Sequence, residues 1–278
     1  MKKKILIVIV LYNCKLNESK SFLSLAPPLE NLIVFDNSES PQDISVYAGK
    51  AVYIHNGTNI GLSACYNKAA KYAKDNGYQW LLLLDQDTDF SGVSLVDYLN
   101  AIKNYKDCNI IAPLVKCGKY TMSPAVLKFK IPHVSLTEFR GVVSLEKISL
   151  INSGMCVSIR SFWNCGGYNE KVFLDFSDHE FLRRYKKYNS VAYILPQLIK
   201  QDFSVVTDDK MKSLARFKMF CRSLRGCEKE TIEDCIVFSL IILKRTIRLI
   251  VETHDFKVVQ IVFNNYFRKN EKNISLHC

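Results

Sequence analysis

Trp80 to Asp89 reads WLLLLDQDTD. Four consecutive leucines leave no polar face, so the run is a strand buried on both sides, as in a parallel sheet. Asp85 and Asp87 close it. In an extended segment, residues two apart point the same way, so the two carboxylates converge on one point just past the sheet edge. Unpaired, they repel each other and need a cation or hydrogen-bond donors. A divalent ion with oxygen ligands, Mg2+ or Mn2+, carried in with a diphosphate, meets that need. Asp also ends strands as a plain solvated turn, and the flanking chain decides between the two readings.

Upstream, Ile5 to Leu11 is continuously apolar and β-branched, a first buried strand ended by Tyr12 and Asn13. Asn31 to Phe35 reads as a second, ended by Asp36 and Asn37, and Ala51 to His55 as a short third. Between the first two, Pro27-Pro28 interrupts any helix over 23–29. The loop Asn56-Gly57-Thr58-Asn59-Ile60-Gly61 opens a helix over 63–74, in which Tyr66, Ala69, Ala70 and Ala73 share one face. Strands alternating with helices imply a parallel sheet with right-handed crossovers. Three strands then end in polar residues on one edge, where open α/β sheets bind ligands.

Downstream, Leu95, Tyr98, Leu99 and Ile102 mark a helical face. Residues 110–115 read as a strand broken by Pro113, and 117–140 as an irregular excursion with Pro124, Pro132 and short extended pieces. Residues 150–159 read as an extended stretch whose Gly154 passes close to something. Phe181, Leu182, Tyr185 and Tyr188 give the buried face of a further helix, and 191–195 a last strand stopped by Pro196. Asp175, Asp178 and Glu180 stand at that helix's entrance. Asp178 there is an N-cap complementing the helix dipole, or a general base taking a proton from a hydroxyl; the two roles are compatible.

Hydrophobic residues make up 48% of the 278 and charged residues 23%, which supplies a large core and excludes a disordered chain. A net charge of +11 points to an acidic or phosphorylated partner. Ten scattered cysteines form no CxxC pair, and the five histidines lack zinc-finger spacing, which argues against structural zinc. The start, MKKKILIVIVLYN, has too short an apolar run and no cleavage site for a signal peptide. It reads as a strand of a cytoplasmic protein with reduced thiols.

The pieces VLYN (10–13), IVFDNSE (33–39), HNGTNIGLSACYNKAAKYA (55–73), GYQWLLLLDQDT (77–88), INSGMCVSIRSFWNCGGYNE (151–170) and VFLDFSDHEFLRR (172–184) occur in order. Together they resemble family 2 inverting glycosyltransferases of the GT-A fold, especially the bacterial rhamnosyltransferase branch. The resemblance implies an α/β fold with a mostly parallel, Rossmann-like sheet. It implies that Tyr12, Asn13, Asp36 and Asn37 hold the nucleoside of a nucleotide-sugar donor, and that Asn59 and Gly61 line the donor site. Asp85 and Asp87 become a DxD pair that meets the donor and binds Mg2+ or Mn2+, with Asp87 the direct ligand. Asp178 becomes the catalytic base and Glu180 the second acid of its motif. The implied donor is dTDP-L-rhamnose, with UDP-hexoses behind it, and the implied acceptor a lipid-linked saccharide. Gln201 stands where relatives often carry a metal-ligating His, which keeps a non-catalytic, membrane- or partner-binding member as an alternative. The QxxRW motif of processive synthases is absent.

Two other classes fit less well. A sugar-phosphate nucleotidyltransferase needs a Gly-rich basic loop after the first strand, which Tyr12-Asn13-Cys14-Lys15-Leu16 does not provide. A nucleic-acid binder gives the polar strand ends no role. The expected organisation is a catalytic domain over 1–205 and a basic, apolar helical region over 206–278. In the latter, Ile236 to Leu243 is too short to span a bilayer. It packs on the catalytic domain or a partner subunit, which allows an oligomer, or lies on anionic lipid at the cytoplasmic face of the membrane.

Overall fold

Ile5–Leu11 forms β1, with every residue buried. The computed structural model describes residues 5–24, 31–47, 49–201 and 210–268; Pro27-Pro28 and the start of the basic tail at 206–209 lie outside them. A short helix α1, Lys20–Ser24, precedes β2, Leu32–Asp36, and β3, Ala51–His55. Helix α2, Leu62–Asp75, leads to β4, Trp80–Asp85. Then come β5, Thr88–Asp89, and α3, Leu95–Asn104, the latter closed by a Ser94/Asp97 capping box.

Strands β1–β4 are mutually parallel in the spatial order β3-β2-β1-β4. Alternate residues of each strand face opposite layers, so the leucine run divides. Leu81 and Leu83 pack with Val8, Phe35 and the Tyr66, Ala69, Ala70 and Ala73 face of α2. Leu82 and Leu84 pack with Ile7, Ile9, Val34 and α3's Tyr98 and Ala101. A strand covered on both faces admits no polar side chain until it leaves the sheet, which is why Asp85 comes last.

The second half departs from the sequence reading at several points. Residues 117–135 are mostly strand, joined by tight turns, and only 136–140 are irregular. β6, Ile110–Cys117, turns into β7, Tyr120–Lys128, and β8, Ile131–Ser135, all antiparallel neighbours. Pro113, Pro124 and Pro132 conceal these strands, since proline reads locally as a stop. Pro113 does not break β6; it sits where a Cβ on Gly154 would touch its ring at 2.7 Å, which identifies the neighbour Gly154 passes. After β9, Gly141–Ser144, and β10, Ile148–Ser149, only Cys156–Ser158 of the 150–159 stretch is strand, β11. It lies antiparallel between β4 and β6, so the parallel half meets a mixed half. Helices α4, Ile159–Asn164, and α5, Ser177–Tyr185, follow. Tyr188 lies past the end of α5 and is exposed, contrary to its assignment to the buried face.

The last strand, β12, does not stop at Pro196 but spans Val191–Gln201. The register against β6 shifts between Ile194 and Leu198, and this irregularity takes up the missing Pro196 N–H. β12 then reaches β5, pairing Gln201 with Thr88. Helices α6, Lys210–Gly226, α7, Ile232–Thr253, and α8, Lys257–Val262, with a π-turn at Phe263–Phe267, build a third cluster. Phe217, Phe220, Leu224, Phe238, Ile242 and Leu249 fill it, together with Val172 from the sheet-bearing part of the chain.

Candidate functional site at the strand ends

β1, β2 and β4 run parallel, so their C-terminal ends share one edge: Leu11 pairs with Asp36, and Val10 with Asp85. Asp36 is fully buried. Its carboxylate accepts from Ser38 N (2.9 Å), Gln42 Nε2 (2.7 Å) and Tyr53 OH (2.8 Å). Burial alone raises the pKa, but the Ser38, Gln42 and Tyr53 bonds outweigh it and hold Asp36 below the ordinary carboxylate value. Asn37, also buried, accepts from Asn56 Nδ2 (2.9 Å) and the Cys65 thiol (3.4 Å). Asn13 sits at φ 49° and its N–H donates to Ser38 Oγ (2.9 Å). Tyr12 leaves an exposed ring on the rim.

Exposed Asn59 turns back to accept the Gly61 N–H at 3.0 Å. Gly61 has φ 87°, and a Cβ there would lie 2.9 Å from the Phe173 carbonyl oxygen. Glycine is needed for that close approach, which lets Leu62 N (2.8 Å) and Ser63 Oγ (2.5 Å) dock α2 on 172–173.

Asp85 is partly buried. Its carboxylate accepts from Ser153 Oγ and from Tyr66 OH (3.2 Å). Burial first, then the charges of Asp87 and Asp178, push it up to about 6 against the lowering effect of the two hydroxyls. The charges of Asp87 and Asp178 thus both bear on Asp85, although 93 residues separate Asp85 from Asp178 in sequence. Asp87 is exposed beside Asp85.

The turn carrying the acids is braced from α1. Ser21 Oγ donates to the carbonyls of Asp85 and Thr88 (3.1 Å to the latter), and Ser19 Oγ to that of Gln86 (3.0 Å). Gln86 in turn clamps the Tyr12 backbone, accepting its N–H at 2.8 Å and donating to its carbonyl at 3.3 Å. These braces, with Ser153, Tyr66 and Asn152, are absent from the site read in the sequence. The signal available was the buried Asn-Ser pair in INSG and the hydroxyl-rich Ser19–Ser24 segment.

At the other wall, Asp178 lies in the first turn of α5 but is not its N-cap. That position belongs to Phe176, at φ 69° and without a side-chain cap. Asp178 Oδ1 accepts the His179 N–H at 2.7 Å. Glu180 is turned away into the core. It is buried, holds Arg184 through two 2.8 Å bonds, and Arg184 donates to the carbonyls of Cys165 (2.6 Å) and Gly167 (2.8 Å). A chain of bonds ties this wall to the first: Tyr168 OH to Asn152 Oδ1 (2.5 Å), and Asn152 Nδ2 to Ser177 Oγ (3.2 Å). Tyr168 stacks on Phe181 at 4.4 Å. Asp175 is paired with Arg216 of α6 at 3.3 Å.

The donor set fits a hard divalent cation in part. Among the described residues no cluster of three or more His, Cys, Asp or Glu forms a complete metal cage. The fit rests on Asp85 and Asp87 and on Gln201, whose buried Oε1 has no hydrogen-bond partner and which pairs across strands with Thr88. Mg2+ is commonly held by one or two carboxylates and completed by substrate phosphates, so an open, two-carboxylate site suits it. A cavity of about 450 Å³ adjoins α5 on the far side, lined by Ser149, Phe176, His179, Leu182, Phe238 and others.

The sequence profile of glycosyl transferase family 2 matches residues 6–163. A dTDP-rhamnosyl transferase, RfbF of Shigella flexneri, is 23% identical over 205 residues, covering 71% of this chain and 68% of that protein. In structure the chain resembles GalNAc-T7 crystallised with UDP, GalNAc and Mn2+, at TM-score 0.60 and 11% identity over 95% of this chain; it spans about half, 54%, of that protein. It also resembles the Pyrobaculum calidifontis mannosyltransferase PcManGT in complex with GDP-Man and Mn2+, at TM-score 0.54 and 10% identity, covering 95% of this chain and 79% of that one. The sheet with its strand-end acids and the family match over more than half of the chain agree: this protein belongs to glycosyl transferase family 2 and has the GT-A fold.

Proposed function

We propose that this protein transfers L-rhamnose from dTDP-rhamnose to a hydroxyl of a lipid-linked saccharide, with inversion at the anomeric carbon. The observation that carries the reading is that Asp85 and Asp87 close β4 on the edge where β1 and β2 also end, and that the charge of Asp178, at the start of α5, bears on Asp85. Three like charges there are unfavourable unless substrate chemistry uses them. The 23% identical rhamnosyl transferase supports the choice of sugar.

In this reading the rim residues Tyr12, Asn13, Asp36 and Asn37 hold the nucleoside, and the 59–61 turn borders the donor. Asp85 and Asp87, with Gln201, would hold a Mg2+ or Mn2+ ion, which when bound neutralises the diphosphate leaving group. Asp178 takes the acceptor hydroxyl proton. The acceptor oxygen bonds to the anomeric carbon as the bond from that carbon to the diphosphate oxygen breaks, and dTDP departs with the electron pair. Because attack and departure lie on opposite faces, one base suffices. Glu180 is assigned a positioning role, since both of its oxygens are engaged by Arg184.

Thermal shift against dTDP, UDP, GDP and CMP, each with and without Mn2+, tests the donor site, because a ligand of the native state raises the midpoint by mass action. A Mn2+-dependent shift with dTDP is expected. A shift with UDP alone replaces rhamnose by a UDP-hexose, and no shift with any nucleotide removes the catalytic reading.

A further inference from the structure

The helical layer presents one long apolar face that none of the described residues covers. On α7, Ile232, Ile236, Leu240, Leu243, Ile247 and Val251 are each more than half exposed. Steps of three and four residues keep them on one side of the helix, a stripe about 30 Å long at 1.5 Å per residue. The other side of α7, with Phe238, Ile242 and Leu249, is buried in the third cluster. Phe256, Phe263 and Phe267, around α8, are also more than half exposed. Scattered exposed aliphatics are ordinary on a protein surface, but a register of six along one helix marks an interaction site.

The charge of the same layer selects the partner. Residues 210–268 hold twelve Lys or Arg against six Asp or Glu, more than half of the net charge of the chain. Four of the six acids, Glu230, Glu233, Asp234 and Glu252, are already neutralised in ion pairs. Exposed Lys218, Lys244 and Lys257 make no ion pair among the described residues. Lys218, Arg222 and Lys257 also line a cleft of about 730 Å³ between α6 and α8, with Gln260, Asn264 and Asn265. On α7 itself exposed Lys244 flanks the stripe, next to Leu243 and four residues on from Leu240, and a crest that is apolar with a cation at its edge is complementary to an anionic bilayer. A second copy of the chain would instead set two positively charged layers against each other.

We infer that α7 lies in the plane of an anionic membrane surface, with its apolar stripe at the acyl boundary and Lys244 at the level of the headgroups. Among the described residues no helix is long and apolar enough to cross a membrane, and α7 carries Lys244, Arg245 and Arg248 in mid-helix, so it lies on the surface. The inference stands apart from the sugar proposed above, but it gives that reaction a geometry. Arg183 of α5 binds Asp234 of α7 at 2.9 Å, five residues from Asp178. The docked helix is therefore tied to the helix that carries the proposed base.

The test is co-sedimentation of the full chain with vesicles of phosphatidylcholine alone or mixed with phosphatidylglycerol, and free of any saccharide. The wild type is expected to pellet with the mixed vesicles and to be released by high salt, which screens exposed charge. The double variant Leu243→Glu, Ile247→Glu changes only exposed positions and should lower the partition at least about tenfold. Its nucleotide-induced thermal shift, measured without vesicles, should match the wild type. Wild-type protein that stays in the supernatant with both vesicles, or a double variant that pellets as well as the wild type, overturns the inference. So does a dimer that the double variant dissociates without any vesicle binding by the wild type, which assigns the stripe to a second copy. The thermal shift reads the donor site alone, so its failure and that of the membrane face are separable.

Discussion

Asp85 carries a charge that the fold makes costly. Its pKa of about 6 lies above the unfolded carboxylate value of about 4, so the folded state binds the proton more tightly than the unfolded one. The stability this group leaves intact below about pH 4 is lost as pH rises through about 6. Asp85→Asn removes that loss. In metal-free buffer at pH 7.5 it is expected to raise stability by about 1–3 kcal/mol, a gain that vanishes near pH 4 and shrinks for the wild type alone when Mn2+ is added; urea denaturation across pH reads it. An unchanged midpoint at pH 7.5 would sink this account of the site. Asp178 makes the opposite case. It caps nothing, and its only partners among the described residues are the N–H of His179 and, at 3.8 Å, the imidazole of the same residue, so Asp178→Asn should leave stability and nucleotide binding nearly unchanged. Transfer should fall by about 10²–10⁴-fold, the usual worth of a general base. Glu180→Gln separates the two acids of this helix. It breaks a buried pair and should destabilise the fold by about 3 kcal/mol, so that any loss of transfer arrives together with a lower melting temperature.

At the level of elements, the site is a set of strand ends held by turns, and the turns are what the sequence concealed. The parallel half was legible because each strand is an unbroken apolar run that stops at a polar pair: Leu11 before Tyr12, Phe35 before Asp36, Leu84 before Asp85. A carboxylate after a doubly buried strand has only one place to go. The β7–β8 hairpin and the full length of β12 were not legible, because proline reads locally as a stop. In β12, Pro196 falls within the register shift between Ile194 and Leu198, a relation between two strands that no single run reveals. The braces from α1 were hidden for the same reason, since Ser19 and Ser21 are unremarkable until the turn at 85–88 lies above them. Their importance is testable. Ser21→Ala deletes donors to two carbonyls of that turn, the kind of outer support whose loss costs metal sites about 10–100-fold in affinity. The Mn2+ concentration that half-saturates the nucleotide-induced thermal shift should rise by that factor. An unchanged titration would mean the turn is held without Ser21, by Ser19, Gln86 and Ser153.

For the whole molecule, the question is how the helical layer is joined to the catalytic half, and the answer centres on Asp234. This carboxylate is buried at the start of α7. It accepts the N–H groups of Glu230 (3.0 Å) and Thr231 (3.1 Å), binds Lys130 of the β7–β8 turn at 3.1 Å, and binds Arg183 of α5 at 2.9 Å. Three parts of the chain thus meet on one side chain. Burial works against the charge, but the Glu230 N–H, Lys130 and Arg183 overcome it and depress the pKa far below that of an ordinary aspartate. A depressed value means the stabilisation is complete above the unfolded value of about 4 and is lost as pH falls through the folded one. Acidification below about pH 4 should therefore loosen α7 from α5 and the hairpin, and hydrogen exchange over 232–253 should rise before exchange in β1 and β4. Asp234→Asn leaves Arg183 and Lys130 facing a neutral group and should cost about 3 kcal/mol at neutral pH. The variant should show fast exchange in α7 already at pH 7, with little further change on acidification, while β1 and β4 stay protected. If exchange in α7 and the sheet rises together in both proteins, the layer and the sheet unfold as one unit. Asp234 is then a stabilising contact like others, and not the joint between them.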